Sequence, residues 1–224
     1  MSEVVFITNT DGYYAMLKKA LLSLETECLL PGEAEAWMAD DFAWSDEWTM
    51  RMADAKVVLI EWMGVSLEVP FLQSALALLK EKGIPYKIHA GEEAEGNASE
   101  GFTPKDHVAI GKYGVYGGIP NFKNMWLYLL NRYAGKHFQV EEPQPMAWNG
   151  IYHPRAKKLY RDLAEYQKDF CHPDWPTIGM IFYRNEWLAG NLAYQDAMIA
   201  EAERQHLNLL AVFSHGVKLS LIHI

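Results

Sequence analysis

The sequence predicts an α/β chain: an open, doubly wound parallel sheet followed by the start of a second, truncated α/β domain. Three observations carry this reading. Short apolar runs rich in β-branched residues (Val4-Val5-Phe6-Ile7, Val57-Val58-Leu59-Ile60) alternate with stretches in which leucine recurs at helical spacing. Strands apolar on both faces belong to a parallel sheet covered on both sides. After a break at Ala134-Gly135 and the proline-bearing segment Glu141–Pro145, the alternation starts again.

The first strand, Val4–Ile7, leads into a helix over about Tyr13–Leu24, with Leu17, Leu21 and Leu24 on one side. A weaker strand falls at Ala34–Met38. Ser45 or Asp46 can cap a helix through Met52, and Lys56–Glu61 is the clearest strand in the chain. Pro70 suits the first turn of the next helix, which carries Leu72, Leu76 and Leu79 and ends at Gly83. Tyr86–His89 makes a fourth strand, and the small, acidic stretch Gly91–Gly101 reads as an exposed loop. Tyr113–Gly118 reads as a glycine-rich turn before a helix over Pro120–Tyr133. The general plan is a flavodoxin-like doubly wound domain over residues 1–134.

Residues 135–149 read as a linker and 150–218 as an incomplete second α/β domain. Within it a polar helix is expected over Ala156–Lys168, a strand at Thr177–Tyr183, a helix at Ala193–Arg204 and a strand at Leu207–Phe213. That is little chain for an independent core. Residues 219–224, Leu-Ser-Leu-Ile-His-Ile, match one reading frame of a transposase-type sequencing adaptor. The expectation is that the native sequence stops near Lys218, and the hexapeptide is left out of fold reasoning.

Half of the 224 residues are hydrophobic and 22% are charged, which suits a packed core and not a disordered chain. A net charge of −9 without a Lys/Arg cluster disfavours nucleic acid and anionic membrane surfaces as partners. Cys28 and Cys171 are too far apart in sequence for a zinc-ligand spacing and suit reduced thiols. With no basic leader and no long apolar run, the expected location is the cytoplasm.

Thr8–Tyr13 follows a strand and opens a helix, a place where phosphate can be held. Asp11 would put a carboxylate beside that phosphate, and no bound flavin is expected. Glu61 stands where a receiver domain has its phosphorylated Asp, but glutamate does not replace that nucleophile, and it reads as a polar strand end. No G-x-x-x-x-G-K-[ST] occurs, so ATP would have to be hydrolysed by a partner. The eight histidines show no metal spacing. Gly150-Ile151-Tyr152-His153-Pro154 and the strand Gly179–Arg184, which delivers a Tyr-Arg pair to its C-terminal end, are the more unusual stretches. Ligands collect at such strand ends, and Arg184 can grip a carboxylate with two hydrogen bonds.

These stretches resemble, in order and spacing, the N-terminal region of the chelatase large-subunit family, the CobN type that includes the magnesium chelatase H subunit. The resemblance runs through Gly117-Gly118, Asn121, Asn124, Leu127 and Leu130, then Gly150–Pro154, Pro176–Arg184, Gly190-Asn191, the acidic helix Asp196–Glu203 and Asn208–Ser214. It spans about Val4–Lys218, and departs at Gln205-His206, where the family has a short Arg-Gly-like turn. It implies a much larger subunit that binds a tetrapyrrole and takes a divalent metal (Co2+, or Mg2+) as substrate. It further implies that AAA+ ATPase partner subunits hydrolyse the ATP. The cobalt branch acts on hydrogenobyrinic acid a,c-diamide in cobalamin biosynthesis, and the magnesium branch on protoporphyrin IX. Pairing of the flavodoxin-like start with the GIYHP junction favours cobalt. On this reading His153 is a ligand or proton acceptor, Arg184 a carboxylate clamp, and Tyr183 and Asn191 line the same crevice. Most of the catalytic machinery is expected downstream, so the 224 residues alone should be inactive. The rival reading is a non-catalytic flavodoxin-like binding module.

Overall fold

A computed structural model describes residues 2–39, 43–64, 67–90 and 97–216. It is a mixed α/β structure whose compact units divide between Gln144 and Pro145. The terminal hexapeptide and residues 91–96 of the expected loop lie outside the described residues.

In the first unit the strands are β1 (Val4–Thr8), β2 (Ala34–Met38), β3 (Val57–Trp62), β4 (Tyr86–Ala90) and β5 (Asn97–Glu100). They form one sheet in the order β2-β1-β3-β4-β5. The first four are parallel, and β5 runs antiparallel to β4, pairing Glu100 with Tyr86 and Asn97 with His89. Part of the segment expected to be an exposed loop is therefore an edge strand. Its composition, Asn-Ala-Ser-Glu, carries no strand signal, and what makes it a strand is the free edge of β4.

Helices α1 (Asp11–Glu27), α2 (Asp46–Met52), α3 (Pro70–Lys82), α4 (Pro104–Tyr116) and α5 (Ile119–Tyr133) complete the unit. Val5, Ile7, Val58, Ile60 and Trp62 point to one face of the sheet and pack with Phe71, Leu72, Ala75 and Leu79 of α3. Phe71 is fully buried, with Trp62 stacked on it at 5.0 Å and Trp48 edge-on at 5.2 Å. On the other face Phe6 meets Trp126 of α5 at 6.0 Å, and the Trp126 indole N–H donates to the carbonyl of Leu17 in α1 at 3.2 Å. Each such fully buried large side chain contributes about 2 kcal/mol of hydrophobic stabilisation.

Helix α4 begins well before the turn expected at Tyr113–Gly118. Thr103 and Asp106 form a reciprocal capping box, with Pro104 in the first turn. The Asp106 carboxylate, buried, accepts from Thr103 N and Oγ1 at 2.7 Å, from the Tyr128 hydroxyl at 2.5 Å and from Arg132 Nε at 3.3 Å. Burial pushes its pKa up, but the bonds from Tyr128 and Thr103 and the charge of Arg132 outweigh it and hold the group at about 2. Three asparagines of α5 bind the extended chain after it. Asn131, Asn124 and Asn121 accept from the backbone N–H of Phe138, Glu141 and Gln144 at 2.7, 2.8 and 2.9 Å. The segment up to Gln144 is thus hydrogen-bonded to the first unit.

The second unit has β6 (Asn149–Tyr152), β7 (Thr177–Tyr183) and β8 (Asn208–Ser214), with α6 (Leu163–Phe170), α7 (Arg184–Ala189) and α8 (Ala193–Arg204). Strand β8 is central, antiparallel to β6 and parallel to β7. The helix expected over Ala156–Lys168 starts only at Leu163. Tyr160 is held in a bridge to Ile151 (Ile151 N to Tyr160 O, 2.8 Å), and Asp162 caps the helix by accepting from Glu165 N at 2.8 Å. Asn208 receives His172 N at 2.8 Å and donates to His172 O and Trp175 O, fixing the loop that leads into β7.

His206, at the departure from the Arg-Gly-like turn, has φ 56°, a left-handed conformation that strains a residue with a Cβ. His206→Gly should raise the unfolding free energy of this unit by about 0.5 kcal/mol in urea denaturation. A lower stability would show that the edge contact of His206 with Trp175, 5.1 Å between rings, outweighs the strain.

Candidate functional site

The GIYHP stretch is built into the second unit's core. A side chain at Gly150 would put its Cβ 2.4 Å from Leu159 Cδ1 and 3.0 Å from the Phe213 ring, so Leu159 would have to move to admit one. Ile151 is buried, and the Tyr152 hydroxyl donates to Asp196 Oδ1 at 2.7 Å. His153 is 3% exposed, its ring stacked on Phe170 at 4.0 Å and 19°. Its Nδ1 accepts from Arg155 N at 3.3 Å, which places the proton on Nε2, 3.6 Å from Glu203 Oε1. Burial and the Arg155 charge hold this imidazole below its usual pKa, against the opposing pull of Glu203. Glu203 is itself gripped by the Arg155 guanidinium at 2.9 Å.

Arg184 follows β7 as expected but turns inward. It is 2% exposed, with Nε donating to Ala147 O at 2.7 Å, Nη2 to Met146 O at 3.3 Å and the guanidinium 4.5 Å from the Trp148 ring centre. These contacts occupy the fork that a ligand carboxylate would need. Tyr183 is 64% exposed at the end of β7, and Asn191 is exposed just after α7. A shallow cavity is lined by Tyr152, His153, Lys157 and Trp187, and none of Tyr183, Arg184 and Asn191 lines it.

At the first unit's topological switch point, between β1 and β3, Asn9 closes the turn. Its side chain donates to Met63 O at 3.1 Å and accepts from Met63 N at 2.8 Å. Thr8 Oγ1 accepts from Thr10 N at 3.2 Å. The side chains of Thr8 and Asn9 in that turn are thus bonded to Thr10 and to Met63, just after β3.

A second cavity, of about 230 Å³, lies on the sheet face that carries β1, β3 and β4 residues, with α4 across from it. The parallel register sets Glu61 beside His89 and Leu59 beside Lys87. His89 Nδ1 lies 2.6 Å from Glu61 Oε1, and this bond raises the imidazole pKa over the opposing effect of burial. Burial lowers the pKa of Lys87. Tyr13 of α1 reaches the same cavity, and burial, aided by the Glu61 charge, keeps its phenol protonated. Sequence reading missed this cluster except for Glu61. The signal was the alternation in β4, Tyr-Lys-Ile-His-Ala, where a strand covered on both faces carries charge on one of them.

The family profile described as CobN/Magnesium Chelatase matches residues 111–222. The chain is 38% identical over 109 residues to an uncharacterized protein of Methanocaldococcus jannaschii, covering 48% of this chain and 9% of that one. It is 22% identical over 225 residues to the aerobic cobaltochelatase subunit CobN of Pseudomonas aeruginosa, covering 97% and 18%. To the chloroplastic magnesium-chelatase subunit ChlH of Oryza sativa subsp. indica it is 26% identical over 119 residues, covering 46% and 9%. Among solved structures, the catalytic subunit of cobaltochelatase from Mycobacterium tuberculosis superposes with a TM-score of 0.58 at 17% identity. That match covers 95% of this chain and 16% of the other, and it shows a shared fold. The chain spans less than a fifth of the length of these relatives.

Arg184→Ala should lower the stability of the second unit by about 2–4 kcal/mol in urea denaturation, because the carbonyls of Met146 and Ala147 lose their donor. Unchanged stability would show that these bonds do not hold the chain before β6 in place.

Proposed function

Because the chain belongs to the CobN/magnesium chelatase family, we propose that it is part of the large, tetrapyrrole-binding subunit of an ATP-dependent cobaltochelatase. Its substrates would be Co2+ and hydrogenobyrinic acid a,c-diamide, in cobalamin biosynthesis. The observation that carries cobalt over magnesium is the extent of likeness. The cobaltochelatase relative aligns with 97% of the chain and the magnesium-chelatase relative with 46%.

Insertion of a metal into a tetrapyrrole requires loss of the metal's water, removal of two pyrrole protons and distortion of the ring. The proposal gives ATP hydrolysis to AAA+ partner subunits; no P-loop occurs in the 224 residues. Among the described residues no group of three or more His, Cys, Asp or Glu is placed to hold a metal. The reading therefore assigns metal handling to other parts of the large subunit. Here Tyr183 and Asn191, both exposed, are the proposed tetrapyrrole contacts. His153 and Arg184 act as positioning residues, one through Phe170 and Glu203 and the other through the backbone before β6. No helix among the described residues is long and apolar enough to cross a membrane; the proposed setting is the cytoplasm, with a flavodoxin-like first unit.

The test assembles the complete large subunit with its ATPase partners and follows both reactions by absorbance. ATP-dependent Co2+ insertion into hydrogenobyrinic acid a,c-diamide is expected, with no Mg2+ insertion into protoporphyrin IX; the 224-residue chain alone should turn over neither. Magnesium insertion would move the chain to the other branch. No insertion by the complete assembly would leave the non-catalytic binding module as the reading.

A further inference from the structure

The cavity between the sheet and α4 is unlike a packing defect in its chemistry. Empty cavities inside proteins are apolar, whereas this one has Glu61, Lys87, His89 and Tyr13 in its wall. Among the described residues the Lys87 ammonium has no hydrogen-bond or ion-pair partner, and neither has the Tyr13 hydroxyl. Neither is among the buried polar atoms without a partner, so both donors are reachable from the cavity. Glu61 does not answer them by hydrogen bonding, since it is taken by His89 at 2.6 Å. The Glu61 charge also attracts Lys87 through space, but no hydrogen bond fills the ammonium's donors.

The remaining wall is shaped around these donors. The Tyr13 ring is fixed edge-on to Phe122 at 4.8 Å and lies 5.7 Å from Phe6. A Cβ at Gly114 would stand 3.0 Å from the Tyr13 oxygen, so a glycine there makes room for the hydroxyl. A Cβ at Gly111 would meet nothing within 4 Å, because that position faces open space. Phe6, Leu59 and Ile110 supply apolar surface beside the donors. A volume of about 230 Å³ is below the range of roughly 300–1,000 Å³ typical for drug-sized ligands. It suits a body of a few heavy atoms.

We propose that this cavity binds a small organic carboxylate, its oxygens accepting from Lys87 Nζ and Tyr13 Oη and its short apolar body lying on Phe6, Leu59 and Ile110. The site lies wholly in the first unit and does not depend on the chelatase reading. Simple anions do not use the apolar wall, and neutral molecules give Lys87 Nζ no charge-assisted hydrogen bond.

The test titrates the 15N-labelled 224-residue chain with sodium propionate at constant ionic strength, with methyl propionate and inorganic phosphate as parallel probes. Propionate should shift the amides of Glu61, Lys87, His89, Gly111 and Gly114 saturably, with a dissociation constant on the order of 1 mM. The ester and phosphate should not. Lys87→Met should weaken propionate binding by about tenfold or more. Gly111→Leu, which fills the cavity from the helix side, should abolish saturation while the spectrum stays folded. Absence of saturable shifts, equal binding of the ester or of phosphate, or undiminished binding by Lys87→Met overturns the proposal.

Discussion

Asp106 is a buried carboxylate that receives four donors: Thr103 N and Oγ1 from the start of its own helix, and the Tyr128 hydroxyl and Arg132 Nε from α5. A buried carboxylate is tolerated only when its oxygens are filled in this way. The bonds do two things at once, starting α4 and fastening it to α5. Helix α5 is in turn anchored to α1 through Trp126 and to the chain leading out of the unit through its asparagines. Held by α5, α4 presents Gly111 and Gly114 across the cavity from β3 and β4. The cavity is what remains when a helix is positioned by a neighbouring helix and two of its facing positions are glycine.

The second unit has a comparable dependence on buried polar groups. Arg184 binds backbone carbonyls before β6, Asn208 holds the loop before β7, and His153 stacks within an aromatic group of Tyr160, Tyr166 and Phe170. Arg184 and Asn208 organise backbone in this structure. Tyr183 and Asn191, by contrast, are exposed.

Much of the fold could be read directly from the sequence. The apolar strands β1 and β3, α3 between Pro70 and Gly83, and β7, α8 and β8 were found because local pattern and tertiary role agree. The elements missed are those whose reasons are not local. Helix α4 looked like a turn because its glycines and exposed valines obscure the helical period, although Thr103 and Asp106 mark its start. Strand β5 exists through the edge of β4, and β6 through pairing of Asn149–Tyr152 with β8. The same limit applies to sites. His153 and Arg184 could be singled out as unusual, but burial decided their roles. Glu61 and His89 are 28 residues apart, and only the parallel register makes them neighbours.

The claim on which the first unit rests is that Asp106 stays ionised inside a set of donors joining α4 to α5. A 13C NMR titration of the Asp106 carboxyl in the folded chain measures this directly. The account predicts a midpoint at about 2. A midpoint near the ordinary aspartate value of about 3.9 would contradict it, showing that the donors do not hold the charged form and that α4 is positioned by something else.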